Sequence, residues 1–395
     1  MPSIARGLLL FFVFTIPWAY SLDLGEPWGN IARIVGILVF FAAIPALLQA
    51  GRVHAPGALP VLVLALFLWN CCTFFWSIAP AETLVSLRWS FQKMMVVWLV
   101  WELAESPQHL RALLRWSLAG FALLAVLTLA DLRSPQAFME GQMRYAAAGQ
   151  DPNDVAHFLD LGFPLAALLA ASEPRLVGRW LALSYLPLGL AGVLLTASRG
   201  GFLAAVVALL GCVMVLYRRF PRSVVGAALA LPALAAALGW SVFRGTMERL
   251  ATIPEQLRGG GLNQRWNIWT AGWEAFKRAP LFGSGGGTFV SAAGTAAEDT
   301  AHNAALAIAV SGGLCALLLA VGMVAASVRA VGQTKGSLRA ALAAALAVCL
   351  VSSLVATVEE SRSTWLLLAL IALAGRLATE QPRPLAECFA GGSPP

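Results

Sequence analysis

Residues 304–326 read AALAIAVSGGLCALLLAVGMVAA, an apolar run without a single charged side chain. About 20 apolar residues in a helix are enough to cross the hydrocarbon core of a bilayer. The whole chain is 59% hydrophobic and only 12% charged, whereas soluble domains carry about 25% charged residues. The sequence therefore predicts an all-α, polytopic integral membrane protein. A nucleic-acid-binding protein is not expected.

Runs of this kind recur along the chain and define its organisation. We predict transmembrane helices one to nine within 1–242, a long loop at 243–301 that contains an amphipathic helix, transmembrane helices ten to twelve within 302–379, and a tail at 380–395. An even number of spans places both termini on the same side. The predicted spans are 4–20, 30–49, 58–78, 84–103, 109–130, 153–171, 178–197, 200–217, 223–242, 302–328, 338–358 and 363–379.

The positions of the basic residues indicate the orientation. With a cytoplasmic N-terminus, fourteen of the 27 Lys and Arg residues fall on the inner side and thirteen on or near the outer side. Six of those thirteen lie in the long loop, where the positive-inside rule applies weakly, which leaves fourteen against seven. Both termini are therefore expected in the cytoplasm, and the motifs described next face outward.

Arg199 lies in the outward-facing sequence TASRGG, residues 196–201, between two spans with almost no loop. A charged side chain at this depth is costly unless it is paired or reaches the interface. Gly200 and Gly201 let a bulky ligand approach the backbone. We interpret Arg199 as an anion-binding residue. The alternative is an ordinary interfacial anchor.

The sequence NQRWNIWTAGWEAFKRAPLF within the long loop predicts an amphipathic helix. Trp266, Trp269, Trp273 and Phe276 share one face, which is typical of a helix lying along a membrane interface. Arg265 falls at its N-terminal end, where the helix dipole also favours an anion. Simple packing of the aromatic side chains and a solvated Arg265 remain the alternatives.

His302 and Asn303 precede the apolar run quoted above. An imidazole with an unperturbed pKa near 6.5 is suited to accept a proton at neutral pH, and nearby arginines would favour its neutral form. Asn303 can hydrogen-bond a sugar hydroxyl. His302 is therefore the candidate general base, and a helix-capping histidine is the alternative.

Other motifs give weaker signals. GSGGGTF at 283–289 lacks the features of a nucleotide-binding loop, and a hinge is the preferred interpretation. Arg144 is a further basic candidate, and the DPND sequence at 151–154 predicts a turn followed by a helix cap. The six cysteines have neither zinc-site nor disulfide-framework spacing. Neither a metal nor a cofactor is expected.

The outer face thus combines arginines, one candidate base and aromatic interfacial side chains. A lipid-linked pyrophosphate suits this set, because guanidinium groups bind phosphate oxygens with two parallel hydrogen bonds. Arginines would then stabilise the leaving group in place of a metal.

Three motifs together resemble the bacterial O-antigen ligase family and its polymerase relatives. They are TASRGG, the sequence from NQRWNIW to GSGGGTF, and AHNAALAIAVSGG, in which nine residues separate Asn303 from Gly313. The resemblance is clearest over 140–316. It implies about twelve spans and a long periplasmic loop in the bacterial inner membrane.

The resemblance also implies an activity. The enzyme would be a metal-independent, inverting glycosyltransferase that moves a glycan from undecaprenyl pyrophosphate to a sugar hydroxyl of the lipid A-core oligosaccharide. The essential histidine of the family corresponds to His302, and its essential arginines to Arg199 and Arg265. Arg88, Arg144 and Asn303 are additional candidates. Donor, acceptor and membrane lipids are the expected partners.

Two other functions remain open. An O-antigen polymerase or a protein O-oligosaccharyltransferase would use the same donor with another acceptor. A transporter of lipid-linked sugars would show paired repeats and broken helices with polar groups at mid-span, and the sequence has no such symmetry. Its polar residues gather at one face, which favours an enzyme.

Overall fold

A computed structural model provides the coordinates of the protein. It describes residues 2–25, 28–51, 53–133, 144–147, 150–217, 220–221, 226, 251, 265–296 and 300–390. Three predicted features lie outside this described part, except for residues 226 and 251. They are the span at 223–242, positions 243–264 of the long loop, and Glu298-Asp299. The described residues fold into helices, with one isolated β-bridge between Asp23 and Asn30.

Fifteen α-helices make up the described part of the chain. They are α1 Pro2–Thr15, α2 Ile31–Ala50, α3 Ala58–Thr73, α4 Pro80–Leu103, α5 Pro107–Ala130, α6 Pro152–Ser172, α7 Leu176–Leu183, α8 Tyr185–Leu195, α9 Arg199–Leu216, α10 Arg265–Arg278, α11 Phe289–Ala293, α12 Ala304–Gln333, α13 Gly336–Ser353, α14 Arg362–Glu380 and α15 Pro382–Phe389.

Nine helices in the described part are long and apolar enough to cross a membrane, with α7 and α8 together forming one of them. This makes the chain a multi-pass membrane protein. The predicted span at 84–103 forms the 24-residue helix α4, which is not among the nine. The predicted span at 4–20 is shorter than expected, because α1 ends at Thr15, ahead of Pro17.

Helix α6 lies at the centre of the bundle, and its membrane-crossing apolar stretch is completely buried by the other helices. It packs against α5, α7, α8, α9 and α13. Small residues let these helices approach closely. A Cβ at Gly201 of α9 would collide with Ala156 of α6, and a Cβ at Gly211 would collide with Ala344 of α13. Close backbone approach at small residues is typical of helix association in membranes.

One end of the bundle, which we name the site face, contains the first residues of α2, α4, α6, α9, α12 and α14 and the last residues of α1, α3, α5, α8 and α13. Side-chain oxygens cap α2, α6, α9, α12 and α14 there, and the capping residues are Asn30, Asp151, Ser198, Asn303 and Ser361. The positive ends of these helix dipoles therefore point to the site face, which favours anions.

Candidate functional site

The start of α9 holds Arg199 on a tightly constrained backbone. Ala197 has a positive φ of 48°, and Ser198 caps the helix by accepting a hydrogen bond from the Gly201 amide at 3.1 Å. Ser198 also donates to Asn153 Oδ1 of α6 at 2.9 Å. The cap of α9 is thus attached to the first turn of α6, and this attachment fixes the direction in which Arg199 leaves the bundle.

Arg144 reinforces the same junction. Its Nε donates to the Thr196 carbonyl at 3.0 Å, and its terminal nitrogen donates to Asn153 Oδ1 at 2.9 Å. The side chain thus joins the segment before α6 to the end of α8 and the start of α6. This geometry supports a positioning role for Arg144, which was predicted as an additional binding residue.

His302 lies at the start of α12 in a conformation that resembles the start of α9. Its φ is 44°, and it directly precedes the capping residue, as Ala197 does. Asn303 Oδ1 accepts the Leu306 amide at 2.9 Å, and Asn303 Nδ2 donates to the Leu354 carbonyl at 3.4 Å. Asn303 therefore acts as a helix cap here, and its amide is engaged with the protein.

The end of α13 brings the two helix starts together. Asn303 contacts Leu354, and a Cβ placed on Gly200 would press against the side chain of the next residue, Val355. The absence of a side chain at Gly200 is what allows this contact. The segment carrying Arg199 and the segment carrying His302 thus contact adjacent residues after α13, Val355 and Leu354 respectively.

Helix α10 connects Arg265 to the His302 segment. Trp269, one turn after Arg265, donates its indole N–H to the Ala301 carbonyl at 2.9 Å. Ile268 and Ala275 of α10 are buried in a cluster with Ala307 and Val310 of α12. A helix forms over Arg265–Arg278, where the Trp spacing predicts one, and its Trp269 bonds the residue before His302. Trp266 and Trp273 are exposed.

Arg265 and Arg199 are close enough to affect each other electrostatically. Burial lowers the pKa of Arg265, the positive charge of Arg199 lowers it further, and the carboxylate of Asp151 acts in the opposite direction. Two guanidinium groups brought together at half-buried positions create a region of positive potential. Such a region favours a multiply charged anion.

The glycine-rich segment 283–287 packs against α12. Ser284 and Gly285 donate their amides to the carbonyls of Val310 and Ser311, both at 2.9 Å. They meet α12 at its kink, where Gly313 has a φ of 68° and a ψ of −167°. Instead of a hinge, this segment therefore forms backbone hydrogen bonds to α12. The sequence analysis did not predict this interaction.

Sequence reasoning also missed buried charges between α4 and the start of α14. Lys93 donates to the Glu359 carbonyl at 3.2 Å. Burial raises the pKa of Glu359 to about 8, and the neighbouring Glu360 adds to the rise. A signal was present, because Lys93 interrupts an apolar run and Glu359-Glu360 precedes another. Both border a largely apolar cavity of about 420 Å³ that reaches Ala304.

The described contacts connect some of the predicted site residues, but not all of them. Arg199, Arg265, His302 and Asn303 belong to connected segments at the site face. Arg88 is exposed on α4, and its predicted role stays a prediction. Arginines and a histidine on connected segments at the positive ends of several helices are residue types that can bind a phosphate anion and accept a proton.

The fold defines a class: a multi-pass membrane protein whose described residues are helical, with two arginines and a histidine on connected segments at one end of the bundle. Residues 185–321 match the family model described as O-antigen ligase. This match covers about a third of the chain and includes Arg199, Arg265, His302 and Gly313. Residues 185–321 of the chain are thus similar to the O-antigen ligase family, and this similarity supports membership in that family. No curated protein matched the chain.

The match to this family model supports a glycosyltransferase-like enzyme, either a ligase or a polymerase. It also indicates lipid-linked glycan substrates in a membrane.

Proposed function

We propose that the protein is an O-antigen ligase of the bacterial inner membrane with its site face in the periplasm. It transfers a glycan from undecaprenyl pyrophosphate to a sugar hydroxyl of the lipid A-core oligosaccharide. The observation that carries this proposal is the junction at the site face. There the starts of α9 and α12 both contact the residues that follow α13, and α10, which begins at Arg265, is hydrogen-bonded to the residue before His302.

In the proposed reaction, His302 accepts the proton of the acceptor hydroxyl. The acceptor oxygen forms a bond to the anomeric carbon, and the bond from that carbon to the pyrophosphate oxygen breaks. The electron pair leaves with the pyrophosphate, whose growing negative charge is stabilised by Arg199 and Arg265. A single displacement from the opposite side inverts the anomeric configuration, and the arginines provide the stabilisation without a metal.

The capped helix starts add to this stabilisation. Their dipoles supply partial positive charge where the leaving group develops negative charge. The cavity that starts at Ala304 is lined mostly by apolar side chains, which suits the lipid-linked nature of the donor.

A reconstituted reaction tests the proposal. Purified protein is mixed with an undecaprenyl-pyrophosphate-linked glycan and one of two acceptors: rough lipopolysaccharide or a second lipid-linked glycan. A ligase glycosylates the rough lipopolysaccharide and retains this activity in EDTA. Elongation of the lipid-linked glycan alone would identify a polymerase instead. Loss of transfer in EDTA with recovery on adding Mg²⁺ or Mn²⁺ would exclude the metal-independent mechanism.

A further inference from the structure

Helix α12 is much longer than α13, the helix that follows it and packs beside it. Ala304–Gln333 has 30 residues, whereas Gly336–Ser353 has 18. Straight helices of these lengths measure about 45 Å and about 27 Å. Their ends nevertheless meet at both ends of the bundle, because Asn303 bonds the Leu354 carbonyl and the short loop 334–335 joins the two helices. A straight α12 would extend far beyond α13, so α12 has to bend.

The bend lies at Gly313, whose backbone is not helical, with a φ of 68° and a ψ of −167°. It divides α12 into two pieces. Residues 314–333 are about 30 Å long, which matches the hydrocarbon core of a bilayer. Residues 304–312, which we name the half-helix, therefore turn aside at the site face. His302 lies just before the start of the half-helix, and Gly312 is its last residue.

The break in α12 creates backbone groups that need new hydrogen-bond partners. The segment 280–285 supplies four of these partners. Its carbonyls and amides bond residues on both sides of the break, and the pairs are Pro280 with Leu314, Leu281 with Cys315, Ser284 with Val310, and Gly285 with Ser311. The carbonyl of Gly312, at the end of the half-helix, needs a donor from elsewhere.

Trp69 of α3 provides that donor. Its indole N–H donates to the Gly312 carbonyl at 2.8 Å. A Cβ on Gly312 would lie only 3.3 Å from the indole nitrogen, so glycine leaves room for this bond. The Trp69 ring contacts the rings of Trp76 and Phe282, with centroid distances of 5.8 Å and 5.9 Å. These contacts orient the indole, and α3 is thereby bonded directly to the end of the half-helix.

Hydrogen bonds to the membrane-crossing part of the protein lie at both ends of the half-helix. At its start, Asn303 bonds the Leu354 carbonyl at 3.4 Å in an exposed position. At its end, the bond from Trp69 is shorter and partly buried, so it is the stronger constraint. Helix α10 packs along the half-helix but is not one of the nine described helices that can cross a membrane. The two can therefore shift together.

We propose that Trp69 is a positioning residue for the site. Its bond to Gly312 fixes the direction of the half-helix, and the half-helix determines where His302 lies. The assignment of His302 as the base rests on the proposed function. Without the bond, the half-helix occupies other orientations for part of the time. A reacting group displaced by about 1 Å can lose most of its rate, whereas the arginines that bind the donor stay in place.

Hydrogen exchange tests this attachment without any transfer reaction. Trp69→Phe keeps an aromatic ring but removes the donor to Gly312. In the full-length protein in detergent, we expect the amides of 304–312 to exchange about two- to tenfold faster, because one lost hydrogen bond shifts local opening by about that factor. The amides of α13 should keep their exchange rates.

The matched control is Trp116→Phe. Trp116 lies on α5, where its ring packs edge-on against Phe14, and the substitution removes the same atoms there as at position 69. This variant should exchange as the unchanged protein does. If the half-helix exchanges equally in the two variants, Trp69 does not hold it and the proposal is wrong.

Steady-state kinetics tests the positioning role. In Trp69→Phe, kcat should fall about two- to tenfold, while the KM values for the donor and for rough lipopolysaccharide stay unchanged. Trp116→Phe should keep the normal kcat. All assays are run below the unfolding midpoint of each variant, which separates lost positioning from lost folding. A normal kcat despite faster exchange, or a raised KM with a normal kcat, would overturn the proposal.

The two experiments fail independently. Faster exchange of the half-helix in Trp69→Phe, in a protein that transfers no glycan, would reject the ligase and leave the attachment by Trp69 standing. Normal exchange and normal kcat in that variant, in a protein that does transfer glycan, would reject the positioning role and leave the ligase standing.

Discussion

At the scale of single residues, Ala197 and His302 adopt a left-handed backbone that residues with a Cβ usually avoid. Their φ values are 48° and 44°, and each lies one position before a helix cap. This conformation costs about 1–2 kcal/mol. Surrounding contacts therefore hold both residues in place, and such local strain is found preferentially at functional sites.

The backbone of His302 leads to a prediction that separates stability from chemistry. His302→Gly removes the strain together with the imidazole, whereas His302→Ala removes only the imidazole. We expect both variants to lose glycan transfer, and the glycine variant to unfold at the same temperature as the unchanged protein or a higher one. Transfer assays and thermal unfolding of the purified variants measure this. Normal transfer by either variant would rule out His302 as the base.

Arg199 and Arg265 allow a test of how the pyrophosphate is held. Changing either to alanine should raise the donor KM and lower kcat, with about a 100-fold loss of kcat/KM. Lysine should restore only part of this, because it keeps the charge but loses the planar pair of donors. The acceptor KM should change little. Donor kinetics that stay normal in both alanine variants would contradict the proposed anion site.

At the scale of elements, α10 connects two parts of the site, and Trp269 is its attachment point. Trp269→Phe keeps an aromatic ring but removes the hydrogen bond to Ala301. We expect a several-fold lower kcat, because the backbone beside His302 gains freedom. Trp273→Phe is the matched control, since Trp273 is exposed on the same helix. Equal rates for the two variants would show that this hydrogen bond does not position the site.

The kink in α12 depends on glycine. A Cβ at Gly313 would collide with the Leu281 carbonyl, and its φ is 68°. Gly313→Ala should therefore destabilise the protein by about 2 kcal/mol or more. Gly332→Ala, on the same helix with open space around it, should be neutral or stabilising. The unfolding midpoints of the two variants are compared. Equal midpoints would show that stability does not depend on glycine at position 313.

The elements could be predicted from sequence far better than their contacts. Apolar periodicity located α2, α3, α5, α6, α9 and α10 within a few residues, and the Asp-Pro-Asn-Asp cap begins α6 as predicted. Lys93 and Glu359 are 266 positions apart, and Arg362 and Asn30 are 332 apart. Such pairs arise from the packing of several helices, which the spacing of residues within one helix does not encode.

At the scale of the whole molecule, the two ends of the bundle differ in chemistry. The site face carries the capped helix starts and the arginine pair. At the opposite end, arginines engage acidic and backbone groups of neighbouring helices, as in the pairs of Arg6 with Glu105 and of Arg111 with Glu173. The excess of basic residues at that end predicts that it faces the cytoplasm.

Cysteine labelling tests this orientation. In a chain whose native cysteines are replaced, Asp23→Cys marks the site face and Glu387→Cys marks the opposite end. A membrane-impermeant maleimide should label position 23 but not position 387 in intact spheroplasts, and both after the membranes are permeabilised. Glycan transfer in the cysteine-replaced chain confirms that it still folds. Labelling at 387 alone would place the arginine pair and His302 in the cytoplasm, where a periplasmic acceptor cannot reach them.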